Sequence, residues 1–213
     1  MPLQSDEAIV LRLSEFSETS QVATVFARDA GKQRLLAKGV RRSTKARFAT
    51  GLDLLEWGEL LYLPAKPDAG LGTLTEWKQR DGFLDVRQNQ ASLYAGVYAA
   101  ERCDQLTADA DPHPLLFARF LELLGRLSTD REIEDLAAAK DATENPADAT
   151  VAGGVAVAGA ALLKFIWALL DESGFRPDLH SCGGCGRTRA AGRPAYFSPR
   201  AGGLVCRGCA PQH

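Results

Sequence analysis

The residues from which enzymes usually build their sites are scarce in this 213-residue chain. There are three histidines, His113, His180 and His213, and none falls at a metal-ligand or triad-like spacing. No Walker A loop and no Rossmann glycine fingerprint occurs, so the usual phosphate-cradling signatures are missing. The carboxylates of residues 81–180 fall on expected helix surfaces or in a linker, where solvation accounts for them. No enzyme is expected. The opening MPLQSDEAIVLRL lacks a basic n-region and a long apolar h-region, which speaks against a secretory signal. A membrane span is not expected either. In the one long run with a single charge, residues 151–170, nine of twenty positions are Ala or Gly and Lys164 interrupts the apolar part. A buried core helix suits that composition better. The expected compartment is a reducing cytoplasm, where the five cysteines serve as free thiols or metal ligands rather than disulfides.

Acid is missing altogether from residues 181–213, which hold five arginines. The net charge of −2 conceals this segregation: residues 1–80 carry +2, residues 81–180 carry −9 and residues 181–213 carry +5. Charge divided by segment points to a partner rather than to a fold.

What the sequence does hold first is strand pattern. Residues 8–16 and 21–28 are rich in Ile, Val, Leu, Thr and Phe, and DAGKQ supplies a hairpin turn at Gly31. Residues 33–40 return, residues 52–63 predict a long fourth strand, and residues 72–79 a fifth. Five strands with no helical period predict a small antiparallel barrel such as an OB-fold. After Gly82 the period changes. Phe83, Val86, Leu93, Val97 and Tyr98 recur at helical spacing, as do Leu116, Phe120, Leu123, Leu124 and Leu127. Pro112 and Pro114 suit the start of that second helix. Residues 131–150 read as a helical turn or two followed by a linker. An apolar helix from about residue 155 to 172 then ends near Gly174 and Pro177. The expected class is α+β and multidomain: a barrel over 1–80, a helical domain over 81–178 and a cysteine module over 179–213.

The module has the spacing Cys182-x2-Cys185, twenty residues, Cys206-x2-Cys209. Zinc takes four thiolates in a tetrahedron, and a two-residue gap lets one turn deliver two sulfurs to one metal. The glycines of CGGCG and CRGC allow the positive φ such turns often need. One structural Zn²⁺ is therefore expected, supplying on the order of 10 kcal/mol to fold a segment that has little core. With four protein ligands the site is closed to substrate. His180 is read as a plain loop residue, and Cys103, in a helix, as a small buried hydrophobe.

Residues 28–47, RDAGKQRLLAKGVRRSTKAR, hold eight basic residues and one acid. Lys32, Arg34 and Lys38 share one side of the third strand, and Arg41, Arg42, Lys45 and Arg47 continue beyond it. These seven form a candidate phosphate track, because each phosphate contact releases counterions. Phe48, Trp57, Tyr62 and Trp77 are the aromatic candidates for base stacking, each better suited to a core, with Phe48 beside Arg47 the strongest of the four for stacking.

The stretch EAIVLRLSEFSETSQVATVFARDAGKQRLLAKGVRRS, the later GLGTLTE, the helical middle and CGGCG…YFSPRAGGLVCRGC together resemble the RecO family of bacterial recombination mediators. The resemblance spans essentially the whole chain. It implies an N-terminal OB-fold, a helical domain and a zinc module. It also implies binding to single- and double-stranded DNA, annealing of complementary strands, and action with RecR in loading RecA onto DNA coated by single-strand-binding protein. Such a protein works in the cytoplasm at the nucleoid, without a membrane or small-molecule substrate. DNA binding in the family is credited to the basic barrel surface, here the seven residues named above. Zinc binding carries over to the four cysteines. The family commonly continues past its ribbon with more helix, whereas APQH follows Cys209 here.

Arg187, Arg189, Arg193, Arg200 and Arg207 either extend the DNA surface or dock the module on the acidic helical segment; charge alone does not choose. An RNA-binding barrel-and-ribbon protein of translation or transcription is the alternative reading. A zinc-dependent nuclease is the third, and the closed cysteine site speaks against it.

Overall fold

The computed structural model describes residues 2–40, 48, 52–65, 70–138, 146–189 and 194–212, with side chains left aside over 130–154. Strand β1 (Gln4–Glu15) starts the fold, followed by β2 (Gln21–Ala27) and β3 (Gly31–Ala37). Strands β4 (Trp57–Leu63) and β5 (Gly72–Asp81) complete a closed barrel in the order β1-β2-β3-β5-β4. All pairings are antiparallel except β3 with β5, which closes the ring in parallel. Alternation turns Ala8, Val10, Ala23, Val25, Leu35, Leu60, Leu74 and Trp77 inward, where they meet Tyr62, Phe48 and Leu52.

Three aromatics offered by the sequence for stacking are therefore core: Phe48, Tyr62 and Trp77 are buried, and Trp57 is half-buried. The long fourth strand over 52–63 is shortened. Residues before Trp57 turn instead, with Leu55 at φ 66°, and Leu55 N–H donates to the Val10 carbonyl at 2.9 Å. Hydrophobicity continued through that stretch because Leu52 and Leu55 are buried, not because they lie in a ladder.

Helices cover part of the barrel's outer face. A 3₁₀ turn (Leu84–Arg87) leads to α1 (Gln90–Leu106), whose N-cap Asn89 side chain accepts from Ser92 N–H at 3.0 Å. The buried face of α1 is Ser92, Ala95, Gly96, Ala99, Ala100 and Cys103. The spacing had pointed to Val97 and Tyr98, yet these look outward. Small residues let the helix approach closely: a Cβ on Gly96 would stand 2.8 Å from the Leu55 side chain. In α2 (Pro114–Ala138) the expected set is buried, Leu116, Phe120, Leu123, Leu124 and Leu127, and Phe117 joins it against Phe26 of β2 at 6.2 Å between rings. Helix α3 (Pro146–Glu172) starts earlier than its apolar stretch suggested, and Phe165 meets Phe120 at 4.8 Å. Among the described residues no helix is long and apolar enough to cross a membrane.

Gly31 lies close against the loop between α1 and α2. Its φ is +68°, and a Cβ there would lie 2.2 Å from the Asp111 carbonyl oxygen, so only glycine fits.

By compactness the chain divides into residues Met1–Ile166 and Trp167–His213. In the second unit β6 (Tyr196–Ser198) and β7 (Gly203–Val205) form a two-stranded ribbon with Tyr196 opposite Val205 and Phe197 opposite Leu204. Asp178 lies beside Gly203, where a Cβ would be 2.3 Å from the Asp178 carbonyl oxygen, so again glycine is required.

Candidate metal centre and nucleic-acid surface

Two short turns deliver the four cysteines of the second unit. In the first, Gly186 N–H donates to the Cys182 carbonyl at 2.8 Å, and Gly186 takes φ +70°. In the second, Cys209 N–H and Ala210 N–H both donate to the Cys206 carbonyl at 2.9 Å. Gly186 thus meets the expectation of positive φ, while Gly183, Gly184 and Gly208 do not adopt it. The two turns converge. Cys206 N–H donates to Cys182 Sγ at 3.2 Å, Cys185 and Cys206 Sγ are 4.0 Å apart, and all four sulfurs lie within 4.8 Å of one another.

Such crowding has an electrostatic consequence. The Cys206 N–H pulls the Cys182 thiol down to about 6, and Cys206 is lowered by the N–H of Cys209. Cys209, bonded to Cys206 and crowded by Cys182 and Cys185, is pushed up to about 12. Four sulfurs this close cannot all ionise unless a cation balances them. Four Sγ donors at these separations fit one tetrahedral metal ion, whose ligand sulfurs would stand roughly 3.8 Å apart for bonds of about 2.3 Å. His180 is not part of the cluster; its backbone N–H donates to Asp178 Oδ1 at 2.7 Å. Cys103 lies on the buried face of α1, its thiol pushed up to about 12 by that burial, which makes it a structural hydrophobe.

In the first unit the basic track is only partly a surface. Lys32 and Arg34 point to the outer side of the barrel, as alternation required, whereas Lys38 falls in the turn after β3 rather than on the strand. Lys32, however, is covered. Its ammonium donates to the carbonyls of Asp104 at 2.6 Å and Thr107 at 2.8 Å, with the carboxylates of Asp104 at 3.5 Å and Asp109 at 3.3 Å. It serves the end of α1, where backbone carbonyls lack helical partners and a cation suits the dipole. Arg34 and Lys38 are exposed. Arg41, Arg42, Lys45 and Arg47 lie outside the described residues.

The sheet adds a residue that sequence reasoning missed. Arg12 of β1 is in register with Thr24 of β2, which is in register with Arg34 of β3. The three form a row across the outer face, with Arg12 and Arg34 exposed on the strands either side of Thr24, backbones two strand spacings or about 9.6 Å apart. Neither Arg12 nor Arg34 meets a carboxylate among the described residues. They line a polar groove of about 370 Å³ with Ser14, Thr24, Lys32 and the carboxylates Asp104 and Asp109. An outward residue in β1 was legible from alternation; its place beside Arg34 needed the strand register.

The family model described as "Recombination protein O N terminal" matches residues 1–83, and "Recombination protein O C terminal" matches residues 150–213. A "DNA repair protein RecO" of Rhodopirellula baltica is 34% identical over 205 residues, covering 96% of this chain and 66% of that protein. The protein of the same name from Desulfitobacterium hafniense (strain DSM 10664 / DCB-2) is 31% identical over 209 residues, covering 97% of this chain and 64% of that one. One from Salinibacter ruber is 33% identical over 122 residues, 57% of this chain and 46% of its own length. The chain thus spans just under two thirds of the length of the first two relatives.

Proposed function

This chain belongs to the RecO family of DNA repair proteins, and on that basis we propose that it is a non-enzymatic DNA-binding and strand-annealing protein of recombinational repair. It binds single- and double-stranded DNA and anneals complementary strands. With RecR it helps RecA load onto DNA coated by single-strand-binding protein, in the cytoplasm at the nucleoid.

The observation that carries this reading is the row Arg12–Thr24–Arg34 on the outer face of the barrel, two guanidinium groups with no carboxylate partner among the described residues. Lys38 follows in the turn after β3, and Arg41, Arg42, Lys45 and Arg47 follow in sequence. Guanidinium groups hold phosphate oxygens in pairs, and each contact releases condensed counterions. Neutralising one strand lowers its repulsion for the complementary strand, which is what annealing requires. Lys32 contributes by holding the end of α1 against β3 rather than by touching DNA.

The metal of the second unit is zinc, held by Cys182, Cys185, Cys206 and Cys209. When bound, it supplies cross-linking of the two turns and neutralises part of the thiolate charge; four protein ligands leave no position for substrate. Its role is structural.

The test is annealing of complementary oligonucleotides coated with single-strand-binding protein, comparing wild type with Arg12→Glu/Arg34→Glu. Annealing by wild type that is lost in the double reversal is expected. With about five to seven phosphate contacts, log K on single strands should fall with log salt at a slope of roughly −3.5 to −5. A folded wild type that neither anneals nor shows a salt slope sinks the reading. Preference for RNA in direct competition replaces DNA as the ligand.

A further inference from the structure

The second unit carries more positive charge than its metal centre uses. Four thiolates and a divalent ion sum to −2, so residues 181–213, with five arginines and no acid, remain at +3 when loaded. The carboxylates of the unit are Asp171, Glu172 and Asp178, and all are engaged. Asp171 holds Arg176 at 3.2 Å, Asp178 accepts from Ser181 and His180, and Glu172 has a partner of its own. Arg187, Arg189, Arg200 and Arg207 are exposed, and among the described residues none makes a side-chain hydrogen bond or ion pair. The sulfurs do not occupy them either.

Three of the four converge. Arg187, Arg189 and Arg207 line one groove of about 400 Å³ beside the cysteine turns, and Arg200 does not. The groove's floor is apolar, formed by Pro194, Ala195 and Leu204. Phe197, 58% exposed, is in register with Leu204, and residues directly opposite in a ribbon stand on one face. The ribbon therefore presents a bare aromatic ring on the side of Leu204. An occupant must bring several anionic groups together with flat apolar surface. Single-stranded nucleic acid brings both in every residue, since phosphates suit the arginine fork and bases stack on aromatic rings. An acidic peptide supplies the charge without a flat partner for the ring.

We propose that this groove is a second single-strand nucleic-acid site, distinct from the barrel face, in which Arg187, Arg189 and Arg207 hold phosphates and Phe197 stacks a base. The proposal rests on the DNA-binding reading above, and it makes the cysteine module an active half of the binding surface rather than a staple.

The experiment titrates a fluorescent dT oligonucleotide against the full chain over a range of salt. It uses wild type, Arg187→Glu, Arg189→Glu, Arg207→Glu, Phe197→Ala, the control Arg200→Glu and the barrel variant Arg12→Glu/Arg34→Glu. Metal content and circular dichroism are checked in each. Each groove arginine should lower the salt slope by about 0.7, the single-strand value per phosphate. Phe197→Ala should weaken binding about 5-fold or more, the low end for a lost base–aromatic stack. Arg200→Glu should do neither. Groove variants that bind like wild type while the barrel variant fails would overturn this site and leave the barrel reading standing. Equal losses in Arg200→Glu and the groove variants would reduce the groove to diffuse charge and overturn it as well. Loss of binding to a labelled polyglutamate peptide, with dT binding unchanged, would assign the groove to an acidic protein instead. A wild type that binds no DNA removes both readings together. As an independent measurement, a 5-iodouracil oligonucleotide should photocrosslink to Phe197; crosslinks confined to the barrel speak against the site.

Discussion

Lys32 and Arg34 are two residues apart on one strand and share one side of it, yet their surroundings give them different work. The Lys32 ammonium is buried among two carbonyls and two carboxylates. Removing it leaves acceptors at a helix end without a donor, a cost of about 1.5–3 kcal/mol for hydrogen bonds to a charged group. Lys32→Met should lower stability by about that amount in urea titrations, whereas Arg34→Ala should change it by less than about 0.5 kcal/mol. DNA affinity should respond in the opposite way, with Arg34→Ala reducing the salt slope and Lys32→Met leaving it unchanged at temperatures where the variant is folded. Equal stability of the two variants would show that the Lys32 ammonium is solvated and available to a ligand. Arg12 completes the residue-level account, since it reaches the site only through pairing across β2.

Between elements, α2 and α3 are joined by an apolar contact and by charge. Phe120 meets Phe165, and Glu122 of α2 accepts from Lys164 of α3 at 2.7 Å while also holding Arg119 at 2.8 Å. The Lys164 ammonium, helped by Arg119, holds the Glu122 carboxyl down at about 2, below its ordinary 4.5. A carboxyl whose folded value is depressed stabilises the fold above its unfolded value and loses that contribution as pH falls through the folded one. The contribution is therefore complete above about 4.5 and vanishes near 2. The pair is largely solvated, so its worth is under about 1 kcal/mol. Glu122→Gln should cost a few tenths at neutral pH, with the difference from wild type narrowing as pH drops toward 3 and in molar salt. A gap that widens on acidification would contradict the assignment.

For the whole molecule, the two compact units depend on different forces. Residues Met1–Ile166 rest on apolar cores inside the barrel and between barrel and helices, whereas among the described residues of Trp167–His213 the buried apolar ones are Leu169, Cys182 and Val205. Metal binding worth on the order of 10 kcal/mol must replace that missing core. Elemental analysis should find one zinc per chain. Chelation should open residues beyond about 176 to protease while the barrel's thermal transition stays in place. A module that resists protease after complete metal removal would show that the ribbon and turns hold themselves.

Much of this was legible in the amino-acid order because the relevant physics is local. Period-two alternation marked the strands, the α2 leucines and phenylalanines marked one buried face, and two Cys-x-x-Cys pairs marked a site that any chain with that spacing can close. Local pattern failed where burial came from elsewhere. In α1 the large residues Val97 and Tyr98 promised the core, but close approach to Leu55 favoured the small face of Ala95, Gly96 and Ala99. Phe48, the aromatic beside the basic run, fills the barrel core as Tyr62 and Trp77 do. Strand register and helix docking bring together residues distant in sequence, and no local pattern encodes them. They alone decided that Lys32 belongs to a helix end, that Arg12 shares a row with Arg34, and that Arg187, Arg189 and Arg207 line one groove.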